Sequence, residues 1–303
     1  MLAAFVWTTG PAKLWEGIRN VGWMFPVIIG LGGLRFFVRA WAWTLCAEPA
    51  HPLGLAPAFT AVLAGDAIGN VTPLGPIVGE PAKAALVRGA VPLQPALTAL
   101  AIENIFYTLS TAAMIVAGTI ALLFAFDLPA ALREFSEVTV VVILLALAAC
   151  LVILWGRPAI ISRWLPLLTP SGSRLHTRLG RIQVLEDQVY TFASRRRAVV
   201  LPVILLEVSF HALGVVETYL ALWMILGQHP LVIHSFILET ANRVITVAFK
   251  FIPFQLGVGE VGSGAVTAVL GLGATAGGTL SIVRKARMGV WALAGGLRLL
   301  RGK

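Results

Sequence analysis

The stretch PLGPIVGE, residues 73–80, returns as PFQLGVGE at residues 253–260. Four of the eight positions repeat: the opening Pro and the closing Val-Gly-Glu. Both phrases lie in strongly apolar surroundings. Proline removes a backbone donor and glycine weakens a helix, so neither phrase reads as regular helix. In lipid every backbone N–H and C=O has to be satisfied, and a broken stretch at membrane depth is tolerated only inside protein or along a polar cavity. Paired broken segments in the two halves of a membrane chain point to a substrate site where half-helices meet. A helix N-terminus opened in this way favours anions such as phosphate. The competing reading is kinking for packing, because Gly and Pro are common in transmembrane helices. One kink would favour packing. Two kinks with the same Pro-x5-Gly-Glu spacing, each with a buried acid, favour a site.

Composition places the phrases in a membrane. Of 303 residues, 58% are hydrophobic and 12% charged, against about 25% charged in soluble domains. The mean hydropathy is +0.88. Several apolar runs approach the ~20 residues that cross a bilayer. They are continuous rather than alternating, which excludes a membrane β-barrel. The predicted fold is an all-α, polytopic helical membrane bundle, with two broken or re-entrant helical elements in an internal repeat. The net charge of +9 comes from 18 Arg and 5 Lys against 14 acids. These bases flank apolar segments, so they speak for topology and lipid contact rather than nucleic acid. Cys46 and Cys150 form no disulfide or metal pattern and read as small buried apolar residues. The N-terminus lacks a basic region before its short apolar run and is not read as a cleaved signal peptide.

The whole of 1–303 reads as a single integral membrane domain. Its first half, 23–155, carries candidate spans at 23–46, 95–126 and 138–155, and the broken motif 69–81. Residues 57–71 are apolar but too short to span untilted. Residues 156–197 hold eight Arg against Glu186 and Asp187, a net +6. This segment is predicted to be a cytoplasmic loop, either solvated or carrying a surface-lying amphipathic helix near 174–190. The second half, 198–303, carries spans at 199–226, 231–249 and 275–297, and the broken motif 250–264. The acidic loop 127–137 and the Lys- and Arg-free loop 227–234 should face outward. Charge does not decide whether 57–92 crosses once or re-enters, so an inverted and a parallel repeat are both compatible.

Each charge at a helix centre costs about 2.5–3.5 kcal/mol on insertion scales. Charges placed there therefore need a reason. The candidate acids are Glu80, Glu103, Glu239 and Glu260, and the candidate bases Lys83, Arg243, Lys250, Arg284 and Arg287. Glu239 and Arg243 are spaced i,i+4 and can pair within one helix. Glu207 and His211 share that spacing, and of the two readings it allows, a buried hydrogen bond is favoured over a proton relay. Lys250 can snorkel to an interface, while Arg35 and Arg39 either snorkel or face the bundle. Arg284 and Arg287 sit one turn apart inside the last span, where a phosphate or carboxylate would suit them.

The segments NVTPLGPIVGEPAKAALVRG (70–89) with IEN (102–104), and FIPFQLGVGEVGSGAV (251–266) with RKAR (284–287), resemble the lysylphosphatidylglycerol synthase transmembrane region. That family is also called the flippase-like integral membrane domain. The resemblance runs from about Trp23 to the end of the chain. It implies a helical bundle with paired re-entrant elements that moves lipids between leaflets. Residue by residue, Asn70, Pro73, Gly79, Glu80, Glu103, Pro253, Gly259, Glu260 and Arg284 match its pattern. Asn104 departs from it, since many relatives show Arg there, which removes a local Glu–Arg pair. No soluble aminoacyl-transferase domain follows residue 303, so synthesis of lysyl-phosphatidylglycerol is not expected.

Other chemistry finds no support. His229 and His234 lack an accompanying carboxylate or Cys for a metal. There is no GxxxxGK[ST] phrase for nucleotide and no GxSxG nucleophile. The expected function is a lipid translocase or lipid-binding transporter for an anionic or lipid-linked substrate, with no cofactor and no ATPase of its own. Its substrate-binding candidates are Asn70, Pro73, Gly79, Glu80, Lys83, Glu103, Pro253, Gly259, Glu260, Arg284 and Arg287. Two alternatives stand beside it. One is a membrane-embedded enzyme with Glu80 or Glu260 as acid or base. The other is a non-transporting accessory subunit of an envelope-lipid pathway. The expected partners are membrane lipids, with a second copy or a pathway protein left open, and the expected location is the bacterial inner membrane, as a multi-pass protein.

Overall fold

The computed structural model describes residues 21–72, 75–156, 190–192 and 194–301, together with Ala12, Trp15, Arg19 and Gln188. Among these residues the chain is helical, without strands. Nine helices follow in order: α1 (Met24–Cys46), α2 (Leu55–Val71), α3 (Gly75–Leu86), α4 (Leu93–Ala125), α5 (Ala130–Gly156), α6 (Arg197–Leu226), α7 (Val232–Ala248), α8 (Val258–Val269) and α9 (Ala274–Arg301). Three of them, α1, α4 and α6, are long and apolar enough to cross a membrane. An apolar medium forces the backbone to satisfy its own hydrogen bonds, which is why these runs are unbroken helices.

The broken phrases are interrupted less, and differently, than the sequence suggested. In the first phrase α2 runs to Val71, and α3 is helical from Gly75 with Pro81 inside it. Gly79 and Glu80 therefore lie mid-helix. In the second phrase, Pro253–Gln255 forms one 3-10 turn, and Gly259 and Glu260 fall in the first turn of α8. Phe254 and Gln255 both adopt positive φ, 51° and 52°, a conformation that costs about 1–3 kcal/mol per non-glycine residue and clusters at functional sites. The Phe254 ring is buried against Ala67 of α2 and Ala292 of α9, which holds the turn in place.

Two helical hairpins result. α2 folds back on α3, and α8 folds back on α9. Both pack backbone on backbone, which explains their glycines. A Cβ at Gly75 would lie 2.0 Å from the Gly69 carbonyl oxygen, and one at Gly277 would lie 2.1 Å from that of Ser263. Neither contact can yield, because each partner atom is main chain. Gly277→Ala should therefore lose about 1–3 kcal/mol of stability in thermal unfolding in detergent. Gly278→Ala, whose Cβ would meet nothing within 4 Å, should be neutral or slightly stabilising.

Three sequence expectations need correction. The span expected at 231–249 is the 17-residue α7, about 25 Å long and short of the ~30 Å hydrocarbon core. The expected span at 275–297 lies within the 28-residue α9, but Arg284, Lys285 and Arg287 keep it from being an apolar span. The acidic loop expected at 127–137 is helical from Ala130, with Arg133 and Glu137 paired at 3.1 Å on its exposed face. Residues 157–187, the bulk of the basic segment, lie outside the described residues. Their predicted sidedness is checked by cysteine labelling of sealed cells. A reagent confined outside should reach a cysteine at Ala130 and not one at His176.

The core is divided. One apolar cluster gathers Trp43, Val62, Leu100 and Val203, and a second gathers Ile28, Leu222, Leu238, Leu280 and Val283. α1 contributes Ile28 to one and Trp43 to the other, and α6 contributes Leu222 and Val203. Between these ends the helices carry their charges: Arg35 and Arg39 on α1, Glu217 on α6, Arg284 and Arg287 on α9. A polar layer thus lies across the middle of an otherwise apolar bundle.

Candidate functional site

The polar layer encloses a cavity of about 180 Å3. Arg35 and Arg39 reach it from successive turns of α1. Lys83 of α3, Arg243 of α7, and Arg284 and Arg287 of α9 line the remainder. Asp66 is the one acid among the lining residues, and it accepts a hydrogen bond from Asn70 at 2.7 Å. Gln255, held in its left-handed conformation, also lines the cavity and donates to Thr246 at 3.0 Å. The second broken phrase touches the cavity through this residue.

Two glutamates hold four arginines. Glu239, 1% exposed, accepts from Arg243 at 2.5 Å, Arg284 at 2.8 Å, Arg35 at 3.5 Å and Thr218 at 3.3 Å. Glu217 accepts from Arg287 at 2.5 Å and Arg35 at 3.2 Å. Arg284 also donates to Thr218 at 2.7 Å. Four guanidinium groups against two carboxylates leave a surplus of two positive charges in this part of the site. The Phe210 ring lies 4.4 Å from the Arg35 guanidinium and 5.0 Å from that of Arg243, so its π-face helps to keep two like charges in place.

The other side of the layer is better balanced. Arg39 makes a fork to Glu103, with both bonds at 2.9 Å, and lies 4.1 Å over the Tyr107 ring. Glu80 accepts from Lys83 at 2.6 Å and from Asn104 at 2.9 Å. Asn104 in turn accepts from Arg39 at 3.2 Å. The residue that departs from the family pattern therefore links the Arg39–Glu103 and Lys83–Glu80 pairs. Glu103 keeps an arginine, supplied by another helix.

The hydrogen-bond inventory of the cluster is incomplete. Arg35 Nε, Arg243 Nε, Arg284 Nη1 and Arg287 Nε are buried without a partner among the described residues. A buried donor left unmade costs about 1–3 kcal/mol, and more when it is charged. All four belong to arginines that line the cavity. Together with the surplus of cations over carboxylates, this makes the cavity a setting suited to an anion.

The sequence candidates divide accordingly. Asn70, Lys83, Arg284 and Arg287 line the cavity. Glu80 and Glu103 stand behind it as counter-charges. Gly79 makes the hairpin contact, where a Cβ would lie 2.7 Å from the Gly65 carbonyl oxygen. Pro73 lies outside the described residues, and Pro253 opens the 3-10 turn. Glu260 is elsewhere: it accepts from the Gly257 backbone at 3.0 Å, capping its own helix, and pairs with the buried Lys285. Gly259 packs beside Ser281 in the same hairpin. Arg284 and Arg287 are held by Glu239 and Glu217, not by Glu103 or Glu260. Arg35, Arg39, Asp66 and Gln255 are not among the sequence candidates, and Arg243, a candidate base, is not among the substrate-binding ones. For Arg35 and Arg39 the signal was present, since two arginines one turn apart inside an apolar span are costly unless they face inward.

A family model described as lysylphosphatidylglycerol synthase TM region matches residues 1–295. No curated protein and no solved structure matches the chain.

Proposed function

The chain belongs to the lysylphosphatidylglycerol synthase transmembrane-region family, and from that premise we propose that it is a flippase-like lipid translocase of the bacterial inner membrane. The central cavity takes the anionic headgroup of a membrane lipid, most simply its phosphate. Arg284 and Arg287 present forks from one helix face, with Arg35 and Arg243 opposite. The observation that carries this reading is the excess of arginine over carboxylate around a cavity in the middle of the bundle.

A headgroup crossing bare hydrocarbon would lose its hydration with nothing in return. The cluster replaces that hydration with preorganised donors midway. An apolar groove of about 740 Å3 runs between α4 and α6, lined by Phe106, Met114, Ile204 and Val208 among others. It offers the acyl chains a path that stays in the hydrocarbon. The two hairpins, read here as the re-entrant elements of the repeat, are the parts that would rock against the long spans α1, α4 and α6.

The test is leaflet exchange. The purified protein is reconstituted in liposomes with fluorescent lipids, and exchange is followed by quenching from outside. Exchange of an anionic phospholipid should exceed that in protein-free liposomes, and exceed that of a zwitterionic lipid. Exchange at the protein-free rate would sink translocation. Retained binding of anionic lipid in nanodiscs would then leave the protein as a lipid-binding accessory subunit.

A further inference from the structure

The groove between α4 and α6 holds a second ionisable centre that the headgroup site does not use. Glu207 lines it, 1% exposed, and neither carboxylate oxygen has a partner among the described residues. Glu207 lies ten residues past the start of α6, about 15 Å along the helix. His211, one turn on, is hydrogen-bonded through Nε2 to Ser110 at 3.1 Å, and its Nδ1 is unpartnered. The hydrogen bond expected from the i,i+4 spacing of Glu207 and His211 is thus not made. The groove and the cavity are separated by a thin aromatic wall. Tyr107 and Phe210 line the cavity, and His211, in the groove, stacks on Tyr107 at 6.2 Å.

We propose that Glu207 is a proton-carrying site of the transport cycle, holding its proton as a neutral carboxylic acid while the groove is closed to water and exchanging it when water reaches the groove. An unpaired carboxylate in apolar surroundings is strongly disfavoured, and such a group takes a proton instead. The charged groups close enough to act on Glu207 are Glu103 of α4 and Arg39 of α1. They are locked to each other by two hydrogen bonds. The other titratable neighbours are Tyr107 of α4, Cys46 of α1 and His211 on the same helix. α7 contributes Phe236 to the groove and no charge. No free cation among these groups pairs with Glu207.

Coupling to the cavity follows from Arg39, which lines the cavity while its field reaches Glu207. An anion entering the cavity offsets that positive field, so Glu207 holds its proton more tightly. By linkage, a proton on Glu207 strengthens anion binding by the same factor. A lipid headgroup and a proton would then be carried together. This coupling rests on the headgroup reading; the protonation of Glu207 does not.

The test has two arms. Infrared difference spectra of the full chain in nanodiscs at neutral pH, wild type minus Glu207→Gln, should contain the carbonyl stretch of a neutral carboxylic acid in apolar surroundings. Glu207→Asp should keep a neutral-acid band, showing that the variants are folded. A difference containing only carboxylate bands would overturn the proton site. In liposomes carrying fluorescent phosphatidic acid, a gradient of one pH unit should change the net leaflet flux of the wild type by up to about tenfold, the ratio of proton activities. Whatever exchange Glu207→Gln retains should not respond to the gradient. A wild type indifferent to the gradient would overturn the coupling. If the infrared band is present but the protein binds no anionic lipid at all, the headgroup reading fails and the proton site stands.

Discussion

Glu239→Gln should destabilise the protein by about 3–5 kcal/mol, the cost of breaking a buried ion pair by removing one partner. Glu239 is 1% exposed and accepts from Arg35, Arg243 and Arg284. The amide preserves shape but removes the charge, and its NH2 turns a donor toward guanidinium groups that are donors already. Four arginines would then face Glu217 alone. Chemical or thermal unfolding in one detergent measures the loss. Glu260→Gln is the comparison, because it carries the Gly-Glu phrase but pairs with Lys285 alone and leaves 27% of its side chain exposed. Its cost should be smaller than that of Glu239→Gln, because a single cation, the buried Lys285, loses its carboxylate rather than three. Adding Arg284→Gln to Glu239→Gln should recover part of the loss, because it removes a repelled charge. Equal costs for the two glutamates would mean that the arginine cluster does not depend on Glu239.

The Arg284→Ala/Arg287→Ala double variant should lose at least about a hundredfold in affinity for anionic lipid. A hydrogen bond to a charged group contributes about 1.5–3 kcal/mol, and two such residues remove enough for that factor. The glutamates are not orphaned by this change. Glu239 keeps Arg243 and Arg35, and Glu217 keeps Arg35. The double variant should therefore unfold closer to wild type than Glu239→Gln does. Binding of phosphatidic acid in nanodiscs, at one fixed ionic strength and against a zwitterionic control, makes the measurement. Arg284→Lys sharpens it: a lysine keeps the charge and loses the planar fork, so binding should weaken while stability barely moves. Unchanged binding by the double variant would end the headgroup role of α9.

What the sequence by itself determined is the part that depends on local chemistry. Its long continuous apolar runs specify a helical membrane bundle, since only internally bonded backbone survives in lipid and the strands of a barrel would alternate. Its prolines and glycines mark both breaks, because their effect on the backbone is carried by the residue itself. Glu239–Arg243 was readable from i,i+4 spacing, since a helix sets that distance without help. The same logic failed for Glu207 and His211, where spacing permits a bond that the packing directs to Ser110 instead. It also failed for the repeated Gly-Glu phrase. Glu80 stands in mid-helix behind the cavity, and Glu260 caps a helix away from it.

Only the tertiary structure decided which charges meet. Arg35 and Glu217 are 182 residues apart, Arg287 and Glu217 are 70 apart, and Arg39 and Glu103 are 64 apart. No periodicity encodes such pairs. An arginine in an apolar span states that it needs a partner, but in a medium without water the partner is whichever group the packed helices bring within reach. The surplus of cations over carboxylates, and the four donors left unmade around one cavity, exist only once α1, α6, α7 and α9 are assembled. That surplus is a property of the assembled polar layer, not of any one segment.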